Sequence, residues 1–167
     1  GATSKRTPPT SWAPPPAARG VARFSPVAPS EDHKARVLIV GTGGAGKAAA
    51  AAALSLGMDV ILMNRSREKA DRLAEDFSRN GYHADVKDLD SFRECFRKAD
   101  MIIYNIPTAI PQLEGLTDND FAPGRAKYIL EANYRDPSFS PGFISRMKES
   151  NPHAEYTGGR TWLLYQA

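Results

Sequence analysis

The 167-residue sequence holds one cysteine, Cys95, and three histidines, His33, His83 and His153, that stand far apart. A single thiol excludes an internal disulfide and points to a reducing compartment, which we expect to be the cytoplasm. Isolated histidines without a second cysteine fit no zinc-ligand spacing, so no metal site is expected. Apolar runs of the roughly eighteen residues needed to span a bilayer are missing, as is the apolar stretch of a secretory signal. The G-x-S-x-G nucleophile elbow is missing too.

A basic surplus is also scarcer than the net charge of +3 suggests. Residues 1–36 carry six Lys and Arg against two acids, whereas residues 37–167 carry sixteen against seventeen. The excess belongs to the leading segment, and neither nucleic acid nor membrane is an expected partner. Seven of the thirteen prolines fall in the same segment, which includes TPPTSWAPPPAARG at 7–20. Proline fixes its own φ and restricts the residue before it, so residues 1–35 read as a Pro-rich linker or disordered tail. A docking peptide for an aromatic groove is the other reading. Arg and Ser with few acids give the composition of a transit peptide, but the prolines oppose its amphipathic helix. The opening GATS, without Met, is expected of a piece of a longer protein.

Proline-poor and periodic sequence begins near residue 36. RVLIV (36–40) is a short apolar run, followed by glycines and an Ala-rich helix former that ends at Gly57. DVILM (59–63) is a second strand candidate. SREKADRLAEDFSRNG (66–81) has a helical period through Ala70, Leu73, Ala74 and Phe77, with Ser66 and Gly81 as caps. Further strands are expected at 82–86, 101–105 and 127–132, with helices at 89–99 and 140–151 and another starting at 160–167. Continuous apolar strands alternating with helices predict a Rossmann-like, doubly wound α/β fold. Its sheet should be mostly parallel, with helices on both faces, over residues 36–167.

Gly41, Gly43 and Gly46 form G-x-G-x-x-G between a strand and a helix, the turn that brings free helix amides to a pyrophosphate. Lys47 suits a P-loop, but residue 48 is Ala and supplies no magnesium-binding hydroxyl. At the end of the second strand, where an acid would take a ribose 2′-OH, stand Asn64, Arg65, Ser66 and Arg67. A guanidinium there favours a 2′-phosphate, so NADP is the expected cofactor, with Arg65 at the centre of the clamp. Arg67 and Lys69 fit either that clamp or a solvated helix face; Arg72 fits the solvated face. Cys95 shares an apolar stripe with Phe92 and Phe96 and reads as a core thiol. Tyr104, Asn105, Thr108, Glu131, Asn133, Tyr134, Tyr165 and Gln166 follow the later strands and could line a cleft, without forming an acid and base pair.

These motifs together resemble the NADP-binding domain of shikimate dehydrogenases across residues 36–167. That family carries GAGGAARA where this chain has GTGGAGKA (41–48), and NRT before a basic helix where it has NRSREKA (64–70). INxTPxGM resembles YNIPTAIPQ (104–112), DxxYxPxxTxLL resembles EANYRDPSFSPGFI (131–144), and GxxMLxxQ resembles GRTWLLYQ (159–166). The resemblance implies that Gly41, Gly43, Gly44, Ala45 and Gly46 hold the pyrophosphate, and that Asn64, Arg65 and Ser66 lie on the 2′-phosphate side. It places Asn105 and Ile106 near the nicotinamide ribose and Gly159 and Trp162 near the nicotinamide. Tyr134 and Gln166 would reach the substrate, the reaction being reversible reduction of 3-dehydroshikimate to shikimate in aromatic amino acid biosynthesis.

The departures cluster at the nicotinamide end. Pro107 and Gln112 or neighbours replace Thr and Met, Glu131 replaces Asp, the Tyr-to-Pro spacing gains a residue, and Trp162 replaces Met. The family's catalytic lysine and aspartate lie in a substrate domain with no counterpart in this sequence. The chain alone is therefore expected to bind NADP(H) without turnover, within a longer or multifunctional protein joined through the Pro-rich segment. A non-enzymatic nucleotide-sensing or scaffold module, and a related dehydrogenase such as one acting on quinate, are the alternatives.

Overall fold

Val37 and Ile39 point to one side of the first strand and Leu38 and Val40 to the other, and all four are buried. A strand buried on both faces needs a layer on each, and the computed structural model, which describes residues 34–159, supplies two. Among these residues the strands are β1 (Arg36–Val40), β2 (Asp59–Met63), β3 (Asp85–Val86), β4 (Met101–Tyr104), β5 (Lys127–Glu131) and β6 (Ala154–Thr157). They lie in the order β3-β2-β1-β4-β5-β6, every neighbouring pair parallel. The expected doubly wound sheet is present, and its described pairs are wholly rather than mostly parallel.

One layer packs α1 (Gly44–Ser55) and α2 (Arg67–Arg79) on the sheet. Ala49, Ala50 and Ala53 let α1 lie close to the strands, and Ala70, Leu73 and Phe77 form the buried stripe of α2. Ser66 is the N-cap residue of α2, as its position suggested, although its hydroxyl makes no capping bond. At the other end Asn80 is the cap and Gly81 the residue after it. The opposite layer contains α3 (Phe92–Lys98) and α4 (Pro141–Ser150). Its rings meet edge to face, Phe139 lying 5.3 Å from both Tyr104 and Phe143. Cys95 is buried in this layer, where desolvation first of all raises its pKa.

Several boundaries differ from the expectations, and one strand is new. The third strand shrinks to Asp85–Val86, and α3 is preceded by a 3₁₀ turn at Leu89–Ser91. A sixth strand, β6, occupies AEYT, to which no element was assigned. It is a short strand pairing with β5, and its polar Glu155 and Thr157 dilute the apolar signal. The tail at 1–35 and the helix expected at 160–167 lie outside the described residues except for residues 34 and 35.

The charged residues at both ends of β5 are buried as well. Lys127 is 1% exposed, its Nζ donating to Phe96 O at 2.5 Å and Ala99 O at 2.7 Å, at the end of α3. Glu131 ends the same strand fully buried.

Candidate functional site

The strand order reverses between β1 and β4, and a parallel sheet opens a crevice at the carboxyl ends of such a pair. Gly41 leaves β1 with φ +96° and donates its N–H to Met63 O at 2.8 Å. A Cβ on it would lie 3.1 Å from Asn105 Cβ and 3.3 Å from Ile106 Cγ1. At Gly46 a Cβ would lie 1.9 Å from Gly41 O, which no side chain survives. The fold itself therefore requires these two glycines.

Gly43 and Gly44 are different. Both are exposed, and a Cβ on either meets no atom within 4 Å. Gly43 has φ −73°, open to any residue, so neither strain nor packing explains its bareness. What the missing side chains leave is an approach to the backbone from outside. The first amide of α1 to find a carbonyl is Lys47 N–H, which donates to Gly43 O at 2.8 Å. Those of Gly44, Ala45 and Gly46 have no carbonyl one turn back, no side-chain cap serves them, and the first turn holds no acid. The end of α1 is thus a set of free donors at the positive pole of the helix.

Asn64 braces this turn, its Oδ1 accepting from Thr42 N–H at 3.2 Å and its Nδ2 donating to Ser66 O at 3.1 Å. Arg65 is exposed and reaches over to the loop after β4, where its guanidinium donates to Thr108 Oγ1. The basic residues that follow divide. Arg67 pairs with Asp88 at 2.9 Å and Arg72 with Glu68 at 3.2 Å, whereas exposed Lys69 has no ion-pair partner among the described residues. The hydrogen bond to Asp88 and its charge hold the Arg67 pKa above the usual value.

On the opposite wall Asn105 N–H donates to Val40 O at 2.8 Å, and its side-chain Oδ1 is buried with no partner. Ile106 is buried beside it, against the Gly41 turn. Tyr104, which the sequence offered as a cleft residue, is fully buried. Its hydroxyl donates to Thr108 O at 2.5 Å and accepts from Ile110 N–H at 3.1 Å, shaping the loop. Asn133 Nδ2 donates to Pro107 O at 2.7 Å, tying the loop after β5 to that loop. Glu131 is no cleft residue either: its carboxylate accepts from Tyr156 Oη and from Ser138 N–H, both at 2.6 Å. Burial, then the hydrogen bond to Glu131, pushes the Tyr156 pKa far up.

Gly159 comes back to this edge. A Cβ there would lie 2.5 Å from Ala132 O and 2.8 Å from Tyr134 N, so its backbone rests on the peptides leaving β5. Tyr134 is 39% exposed beside it, with the Arg135 guanidinium 5.5 Å from its ring. Trp162 and Gln166 lie outside the described residues. The Glu131–Tyr156 pair escaped the sequence reading, although a carboxylate closing the apolar run KYILE was a signal for it.

Residues 27–116 match the model of the shikimate / quinate 5-dehydrogenase family, more than half of the 167 residues. The chain belongs to this family. The matched part includes the glycine turn, Asn64 to Lys69, Asn105 and Ile106, while Tyr134 and Gly159 lie beyond it. Among solved structures the family member is similar to a quinate dehydrogenase from Corynebacterium glutamicum in complex with NAD. Identity is 19%, 90% of this chain and 51% of that one are covered, and the TM-score is 0.63. Shikimate dehydrogenase from Thermotoga maritima is 20% identical over 90% of this chain and 54% of its own, with a TM-score of 0.59. Glutamyl-tRNA reductase from Methanopyrus kandleri is 18% identical over 93% and 37%, at 0.66. Likeness at these identities shows a shared fold. The chain spans about half the length of the two dehydrogenases. A search of curated proteins finds no match.

Proposed function

We propose that residues 36–167 are the NADP(H)-binding domain of a shikimate dehydrogenase, working in the cytoplasm in the biosynthesis of aromatic amino acids. The observation that carries this reading is the bare backbone at Gly43 and Gly44, which faces open space beside the free amides of α1. A pyrophosphate needs that close approach and those donors. The buried, unpartnered Oδ1 of Asn105 across the crevice fits an incoming ribose hydroxyl as donor.

Gly41, Gly43, Gly44, Ala45 and Gly46 would hold the pyrophosphate. Arg65, with Ser66 and Lys69, would hold the 2′-phosphate, Asn64 keeping the turn and the start of α2 in register. Arg65 would exchange a neutral hydroxyl, Thr108 Oγ1, for a dianion, and a charge-assisted bond is the stronger of the two. Asn105 and Ile106 would face the nicotinamide ribose, with Gly159 and Trp162 at the nicotinamide and Tyr134 and Gln166 toward the substrate. When bound there, NADPH would supply the hydride, and with one proton a ring ketone would become the alcohol, 3-dehydroshikimate giving shikimate. The ketone must be held at contact distance and the developing alkoxide must receive a proton, and we assign both tasks to a substrate domain of the whole protein. Nucleic acid and membrane have no part in this reading, and no helix among the described residues is long and apolar enough to cross a bilayer.

Titration of the chain with NADPH and with NADH tests the cofactor assignment. NADPH should bind the tighter, and equal affinities would refute the 2′-phosphate clamp.

A further inference from the structure

Two segments, β6 and the loop after β5, converge on the Glu131 carboxylate. It stands at the end of β5, fully buried, and takes the Tyr156 hydroxyl of β6 on Oε1. Oε2 takes the Ser138 amide at 2.6 Å, and Oε1 lies 3.4 Å from the Phe139 amide, so the loop after β5 hangs on the same group. The Tyr156 ring lies against Gly158, where a Cβ would come within 3.3 Å of both Cε1 and Oη. One residue later Gly159 rests on the peptides of Ala132, Asn133 and Tyr134. The carboxylate, the phenol and the two glycines thus lead in close succession to the backbone of Asn133 and Tyr134.

We infer that the Glu131–Tyr156 pair is a positioning device for one end of the cofactor site: it fixes where Gly159, Asn133 and Tyr134 stand and leaves the glycine turn untouched. The inference rests on the proposed dinucleotide site, since it assigns the two ends of that ligand different supports. The turn at Gly41 to Gly46 is braced separately, by Met63 O, Asn64 and Asn105. Side-chain length matters at position 131. A carboxylate one methylene shorter, on the same strand end, is held back by about 1.5 Å, close to the length of one carbon–carbon bond. It would not meet the phenol and the Ser138 amide together without a shift of the loop.

The test compares two ligands on the intact chain. NADPH spans the whole crevice, whereas adenosine 2′,5′-bisphosphate reaches only its adenosine side. Tyr156→Phe removes the hydroxyl and keeps the ring, and it should weaken NADPH about tenfold while leaving the bisphosphate within about twofold. Glu131→Asp should do the same, and Glu131→Gln should fall between, because its amide can accept from only one of the two donors. Equal losses for both ligands, or no loss for either, would overturn the inference. Hydrogen exchange of the ligand-free chain gives a reading that does not depend on the cofactor. Tyr156→Phe should speed exchange at Ala132–Phe139 and Gly158–Gly159 and spare residues 41–47; uniform acceleration or none would overturn it. If the wild-type chain binds neither ligand, the proposed function fails, and the exchange pattern of Tyr156→Phe alone then decides whether the pair fixes Gly159, Asn133 and Tyr134.

Discussion

At the scale of single residues the four glycines of the turn separate into two kinds, and substitution by alanine should expose the difference. Gly46→Ala forces a Cβ to within 1.9 Å of a backbone oxygen, so the chain must shift and the melting temperature should fall by several degrees or more. Gly43→Ala adds a methyl to open space at an ordinary φ, and its melting temperature should hold or rise slightly. Its affinity for NADPH should nonetheless drop, because the methyl occupies the line of approach. Calorimetric melting and NADPH titration of both variants separate the two outcomes; a Gly43→Ala chain that binds normally would remove the main support for the pyrophosphate site. Arg65 makes a second residue-scale case. Its one polar partner among the described residues is an exposed hydroxyl, so Arg65→Ala should cost little stability. It should weaken NADPH by about 1–3 kcal/mol and leave NADH nearly unchanged.

At the scale of elements, Lys127 links β5 to the end of α3, since its ammonium donates to the last carbonyls of that helix and lies 4.8 Å from the Phe96 ring. Burial, and then the nearby Arg125, lower its pKa from 10.5 to about 7, against the opposing pull of Asp100 and Asp120. The unfolded chain therefore binds more protons than the folded one between about pH 7 and about pH 10.5, and the Lys127 contribution to stability must rise with pH across that window. Urea unfolding at about pH 7 and about pH 9.5 should show this rise, and Lys127→Met should flatten it whatever its effect on absolute stability. This link is not legible in the sequence, because a lysine opening a strand reads as a solvated end. Legibility followed the same logic elsewhere. β1, the glycine turn, α1, β2 and α2 were readable because unbroken apolar runs and an Ala-rich helix leave few alternatives. β6 was missed because a four-residue strand with a polar residue at alternate positions looks like the loops around it, and Glu131 because its partner Tyr156 is 25 residues away.

At the scale of the whole molecule, the crevice proposed for the cofactor is built from the carboxyl ends of strands within one sheet, so binding should not need a second domain. Its worth can be measured as stability. A ligand that binds the folded state alone adds about 2.7 kcal/mol at a hundred times its dissociation constant, so saturating NADPH should raise the melting temperature of the isolated chain. Turnover is a different matter, because none of the described crevice residues forms an acid and base pair, and hydride transfer demands a ketone held in contact geometry. We therefore expect the chain, mixed with NADPH and 3-dehydroshikimate, to show the thermal shift and no loss of NADPH absorbance. Rapid oxidation would mean that the nucleotide domain fixes and protonates the ketone by itself, and the division of labour argued above would be wrong. A missing thermal shift would strike earlier, at the free amides of α1 and the bare glycines that define the site.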